Sequence, residues 1–279
     1  MEPSKKGNER HWQSLDMSVS KTVLIEGDLS KKCGSFGAQL AIEFQEIPEL
    51  DNTVQDSIYF NEANLKSKSL TLTIGNAYNE FDLGIEQAFV SMYPGEQARF
   101  DLMTPNWKSV QFVATRTDSG ENSSVFEWSD ERQLQFAQDS YDQAVELIRA
   151  KNYLGALKLF RQASTLCFFM QNPNKDLQLK SLSNITLCQK SLDNLEHVVS
   201  GVDIILEQHP QAANAAKLIA RRGQAQSKLQ NYELAIKDFN ESLSLDSGNK
   251  SVAQDLAQAK KGLRNADVKM SNAMKKMFG

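Results

Sequence analysis

Five residues in the second half of the chain recur at one fixed offset. Ala144, Tyr153, Ala156, Phe160 and Ala163 align with Gly223, Tyr232, Ala235, Phe239 and Ser242, each pair 79 positions apart. From the first small residue of each copy, the spacing runs +9 aromatic, +12 Ala, +16 Phe and +19 small. Such self-similarity constrains a fold more than any single motif does. Each copy must be one supersecondary unit that buries its apolar face against the next. The small residues let two antiparallel helices touch, and the aromatics fill the groove between them. A weaker copy fits between the two, with Asn184, Leu192, Leu195 and Pro210 in place.

This is the spacing of the tetratricopeptide repeat. It predicts three repeats near 137–170, 179–212 and 216–249, with an extra loop, "QNPNKDLQ", after the first. A last helix from about 250 to 277 extends the stack. Residues 20–117 follow another grammar. "KTVLIEG", "AQLAIEF", "SLTLTIG", "ARFDLMT" and "VQFVATR" are short, β-branched and aromatic, and broken by Gly, Pro and Asn, which predicts strands. "EFDLGIEQAFVSM" (80–92) fits a short helix packed on a sheet. "TDSGENSS" (117–124) marks the boundary. The expected layout is a flexible N-terminus (1–19), a β-rich domain (20–117), a linker (118–128), three repeats (129–249) and a C-terminal helix (250–279).

Composition narrows the function. A chain of 279 residues with net charge −4 has room for two domains and is no nucleic-acid magnet. Cys33, Cys167 and Cys188 are scattered with no CxxC, which suits free thiols in a reducing compartment. The N-terminus lacks an apolar signal core, and no run approaches the 18 or so apolar residues of a membrane span. The expectation is a soluble protein of the cytoplasm or nucleus, with no membrane partner. His11, His197 and His209 are isolated, and no phosphate loop, dinucleotide fingerprint or nucleophile elbow occurs, so no metal, no cofactor and no catalytic residue is expected.

A β-rich domain with one short helix, three repeats and a long last helix resembles the large FK506-binding immunophilins. "GIEQAFVSMYPGE" (84–96) is similar to the helix and following turn of an FK506-binding domain, and "SLTLTIG" to the strand before its binding loop. "IYFNE" (58–62) sits where the family has its Phe-Asp-Ser strand, and "AQAKKGLRNADVKMSNAMKKMF" resembles the family's C-terminal extension. The resemblance implies an α+β fold: a five- or six-stranded antiparallel half-barrel around a short helix, followed by an all-α repeat domain with an extension helix.

The family's activity is prolyl cis–trans isomerisation, which needs an apolar aromatic cradle for the twisted amide rather than a nucleophile. The barrier is about 18–20 kcal/mol. On this sequence the cradle positions are Phe44, Phe60, Asn61 (Asp in active members), Phe81 with Asp82 (an apolar pair there) and Ile85 (the floor Trp). The long flap is replaced by "MTPNWKSVQF" (103–112), which puts Trp107 on a short turn as either a contact or a cap of the barrel. An Asp in the pocket and a lost flap predict a degenerate cradle, open to water, with no useful isomerase activity and no FK506 binding.

The family's repeats often hold the acidic tail of the ninety-kilodalton heat-shock chaperone in a carboxylate clamp of five side chains. By position, Asn184, Lys217 and Arg221 match the clamp, while Tyr141 stands for its Lys and Val145 for its first Asn. Each lost charge-assisted bond removes about 1.5–3 kcal/mol. The tail is therefore a weakened partner, and an aromatic and cationic groove suits another protein segment. The lost flap, degenerate pocket and broken clamp together resemble insect members with a noncanonical domain, which would imply a casein-kinase-type clock kinase as partner. The basic, Met-rich end of the last helix fits a packed helix, a docking element for a partner or twin (a homodimer), or a calmodulin or lipid-surface helix. The expected function is a non-catalytic adaptor or co-chaperone. The alternatives are a chaperone-tail co-chaperone of the usual type and a weak isomerase.

Overall fold

The computed structural model describes residues 11–14, 18–31, 33–48, 57–103, 108–118, 125–210 and 212–278. The chain divides into two compact units, Met1–Gln133 and Leu134–Gly279.

The first unit is an antiparallel six-stranded sheet in the order β1-β2-β5-β6-β3-β4. Its strands are β1 His11–Gln13, β2 Val19–Ile25, β3 Gln39–Glu46, β4 Ser69–Thr73, β5 Gln97–Met103 and β6 Ser109–Arg116. Alternation does the sorting: Leu40, Ile42 and Phe44 of β3, and Val110, Phe112 and Ala114 of β6, all point inward and are buried. Phe100 of β5 lies opposite Phe112 of β6, and their rings stack at 5.2 Å. Helix α2 (Glu80–Val90) crosses the inner face, started by Asn79, whose side chain accepts the Asp82 N–H at 2.8 Å. At Gly84 the helix comes so close to the sheet that a Cβ would sit 2.7 Å from Leu102 Cδ1.

Two local expectations fail here. His11–Gln13, inside the stretch expected to be flexible, pairs with β2 as an edge strand, from His11 opposite Thr22 to Gln13 opposite Ser20. Three exposed residues carry no alternation, so the pattern is invisible in sequence. "IYFNE" is not a strand. It is a bend that leads into α1 (Glu62–Ser67), whose start is capped by Asn61 accepting the Asn64 N–H at 3.0 Å.

The second unit is helical: α3 Asp130–Arg149, α4 Tyr153–Phe169, α5 Lys175–Ser191, α6 Leu195–Gln208, α7 Ala215–Lys228, α8 Tyr232–Leu245 and α9 Lys250–Phe278. The repeat positions form its core, with Ala144, Ala156, Phe160, Ala163, Ala235 and Phe239 wholly buried. A Cβ on Gly223 would lie 2.8 Å from the Phe239 ring, so this position must stay small. The corner between the two helices of each repeat is the same part used three times. Lys151, Asp193 and Gln230 take φ of 61°, 59° and 64°, and each is followed by an Asn that starts the outer helix. Those Asn backbone N–H groups return to Leu147, Gln189 and Gln226, five residues back in each case. Counting back from the corner puts Thr186 at the small position of the weaker copy, where Gly201 faces it. Helix α9 buries Val252 and Ala259, and its Gly262 lies under the Tyr232 ring. From Arg264 to Met277 every residue is exposed. Among the described residues no helix is long and apolar enough to cross a membrane, and no cluster of metal-ligating side chains occurs.

Candidate functional site

The cradle positions split into three fates. Phe44, Phe60, Phe81 and Ile85 come together, but as core: they are 3%, 2%, 5% and 0% exposed. Phe60 is packed edge-on by Phe44 at 5.5 Å, Phe81 at 5.8 Å and Phe112 at 5.2 Å. Asp82 is also fully buried, which corrects the expectation of a cradle open to water. It accepts from Ser57 Oγ, from the Ile58 N–H at 3.0 Å and from Asn79 Nδ2 at 2.7 Å, pinning the 57–61 bend to α2. Burial pushes its carboxyl above the ordinary range, with these donors holding it back. One turn on, Glu86 accepts from Tyr59 Oη at 2.5 Å and the Ala77 N–H at 2.7 Å. Burial, then Glu86, raises the Tyr59 phenol. Asn61 faces solvent as the α1 cap, and Trp107 lies outside the described residues. The Asp82–Ser57 and Glu86–Tyr59 links were missed in sequence. The available signal was Asp82 and Glu86, two carboxylates at i, i+4 among the apolar residues Phe81, Ile85 and Phe89.

The repeat face is different. Helices α5, α7 and α9 touch in succession, as inner helices of a repeat stack do. Tyr141 of α3 lies edge-on to Phe160 at 5.3 Å, and its Oη accepts from Asn184 Nδ2 of α5 at 3.1 Å. Val145 is half-buried one turn further on. Arg221 of α7 donates from Nη1 to Ser183 O at 2.5 Å and Thr186 Oγ1 at 2.6 Å, both on α5. Its charge is partly desolvated, which lowers its pKa, and no carboxylate pairs with it among the described residues. Lys217, one turn earlier on the same face, is exposed. The neighbouring Arg222 turns away and grips Asp238 through Nε and Nη2 at 3.0 and 2.7 Å, with Asp203 on its Nη1.

Sequence reasoning missed the far end of this face. Lys190 Nζ donates to Gln224 Oε1, and Gln224 Nε2 donates to Asp255 Oδ2 at 2.7 Å, linking α5, α7 and α9. Burial, then Arg221, lowers the Lys190 pKa. Lys190 is seven residues after Ser183, and Gln224 seven after Lys217, a two-turn spacing that would have placed both on the inner face. What this arrangement can do is bind an extended chain: it offers an aromatic wall, an exposed lysine and a half-sheltered guanidinium whose present acceptors are neutral.

The family model described as BDBT FKBP like N-terminal matches residues 12–118. The chain is 28% identical over 195 residues to human FK506-binding protein-like, covering 70% of this chain and 54% of that protein. It is 24% identical over 213 residues to FK506-binding protein 59 of Drosophila melanogaster, covering 70% and 48%. The chain thus spans about half the length of the curated relatives it matches. The crystal structure of residues 1–211 of CG17282 overlays with a TM-score of 0.55 at 15% identity, over 68% of this chain and 97% of that one, a likeness of fold. Residues 12–118 thus match an FKBP-like N-terminal domain, and over about 70% of its length the chain is similar to FK506-binding proteins.

Proposed function

We propose that this chain is a non-catalytic adaptor that holds an extended segment of a protein partner on the inner face of its repeats. The observation that carries this reading is Arg221: a sheltered guanidinium, held by a carbonyl and a hydroxyl and matched by no carboxylate among the described residues. An anionic group arriving there gives the guanidinium the opposite charge that its present acceptors lack, in a planar, bidentate geometry that suits a carboxylate. The N-terminal domain acts as a scaffold, because a prolyl substrate needs the very surface that Phe60 and its neighbours bury.

The chaperone tail is the second reading, favoured by Lys217 and Arg221 sharing one helix face with Asn184 opposite. Against it, Tyr141 occupies Asn184 and leaves no amine for the terminal carboxylate. Calorimetric titration of the full chain with an acidic chaperone-tail peptide, beside a Lys217→Glu/Arg221→Glu control, separates the two. Micromolar binding abolished by the control supports the tail reading. No binding up to about millimolar peptide supports a dedicated partner. The finer form of the adaptor reading takes a casein-kinase-type clock kinase as that partner. It draws support from the family model over 12–118 and the sequence resemblance, and titration of such a kinase domain against the same control tests it. Acceleration of prolyl isomerisation by the full chain would overturn the non-catalytic part.

A further inference from the structure

Two links cross the seam between α5 and α7 one turn apart, in opposite directions. Arg221 of α7 reaches Ser183 O and Thr186 Oγ1 of α5. Lys190, four residues after Thr186, reaches back to Gln224 Oε1, three residues after Arg221. Steps of three and four keep each pair on one helix face, so a guanidinium and an ammonium share the seam as neighbours. Both point at neutral oxygens. Arg221 uses only Nη1 for its two bonds, and its Nε and Nη2 hydrogens meet no acceptor among the described residues. Burial, then the Arg221 charge, lowers the Lys190 pKa, and Asp255 offsets this in part from behind the Gln224 amide. Lys217, one turn before Arg221 on the same face, is exposed and makes no hydrogen bond or ion pair among the described residues.

We propose that this seam receives a phosphoryl group, carried on a serine or threonine within the extended segment that the repeat face holds. The inference rests on the adaptor reading above and names the anion which that reading leaves open. A carboxylate has one negative charge and two coplanar oxygens, enough for the Arg221 fork alone. A phosphoryl group has about −1.5 to −2 charge near pH 7 and three strong acceptor oxygens. Two of them match the unused Nε–Nη2 edge of Arg221, and the third reaches a lysine, with Lys217 one turn before and Lys190 one turn after as point charges. The second negative charge relieves the repulsion between Arg221 and Lys190, whereas the single charge of a carboxylate is taken up by the guanidinium.

The test is an NMR titration of the full ¹⁵N-labelled chain, following the Gln224 side-chain amide and the backbone amides of α7. The probes are blocked Gly-X-Gly tripeptides, with X phosphoserine, glutamate or serine, and inorganic phosphate. The expected result is a saturable shift with phosphoserine in the millimolar range, binding of glutamate about threefold or more weaker, and no shift with serine. Lys190→Gln and Lys217→Gln should each weaken phosphoserine about threefold or more and glutamate less. Lys237→Gln, at an exposed position of α8, should change neither, and Arg221→Gln should abolish both. Amide spectra of the variants establish that they fold. Equal binding of glutamate and phosphoserine, or the same loss in Lys237→Gln as in Lys190→Gln, would overturn the phosphoryl assignment and leave the adaptor reading standing. No saturable shift with either anion, or binding unchanged in Arg221→Gln, would overturn the proposal together with the Arg221 site that carries the adaptor reading. Inorganic phosphate binding as tightly as the phosphoserine tripeptide would overturn the assignment to a protein residue.

Discussion

The two units hold their candidate binding positions in different ways. In the N-terminal domain the cradle is filled with carbon: Phe44, Phe81 and Phe112 surround Phe60 and leave it 2% exposed. On the repeats Lys217 stays exposed and part of the remaining donor set is in use: Arg221 Nη1 by Ser183 O and Thr186 Oγ1, and one Asn184 N–H by Tyr141. Reopening the first costs about 3–5 kcal/mol per aromatic ring withdrawn. Releasing the second costs about 1.5–3 kcal/mol for a bond from the Arg221 guanidinium and about 0.5–1.5 kcal/mol for the neutral Asn184–Tyr141 bond, and a ligand carboxylate supplies charge-assisted bonds in exchange.

The largest test of that contrast is Phe60→Ala. It should destabilise the N-terminal domain by about 3–5 kcal/mol in denaturant titration, with no isomerase activity gained. Activity without loss of stability would mean that the rings were not what closed the cradle. Next is Tyr141→Lys/Val145→Asn, which adds two charge-assisted partners and frees Asn184. Calorimetry should show an acidic C-terminal peptide binding about 100-fold or more tightly than to the natural chain. If affinity does not change, the groove is closed by more than occupied donors. Gly223→Val drives a side chain into the Phe239 ring and should lower the stability of the repeat unit by about 1–3 kcal/mol or more, read in the same denaturation experiment.

The smallest expected effect is a pH dependence. The folded Asp82 pKa is raised, so the folded state binds more protons than the unfolded one between the ordinary and the raised value. Stability should therefore fall as pH rises through that window. Asp82→Asn should flatten the slope there while weakening the bend that Asp82 holds. An unchanged slope would show that Asp82 is less desolvated than its burial implies.

Legibility in the sequence followed pattern length. The five strand segments and α2 announce themselves by alternation or by a 3.6 period, and β2 to β6 and α2 lie on them. Strand β1 and helix α1 escape because three and six residues cannot display a period. The repeat register was more legible than the five-residue alignment suggests: "KN", "DN" and "QN" at 151, 193 and 230 mark the same left-handed corner in all three copies. Side-chain direction was not legible. Spacing puts Lys217 and Arg221 on one face, but no spacing says that Arg221 turns onto α5 while Lys217 stays in water. The same limit applies to Asp82, which reads as a polar intrusion and proves to be an internal anchor.

The bare end of α9 has a chemical consequence. Met270, Met274 and Met277 are 62%, 49% and 77% exposed, whereas Met92 and Met170 are sealed at 0% and 5%. Thioether oxidation follows access, and sulfoxide turns an apolar, flexible side chain polar. Among the described methionines, mild peroxide should therefore mark the tip of this helix, and Met103 of β5 at 40% exposure, before Met92 or Met170, so peptide mass spectrometry would find oxygen atoms at the helix tip on a chain whose repeats and sheet are still folded.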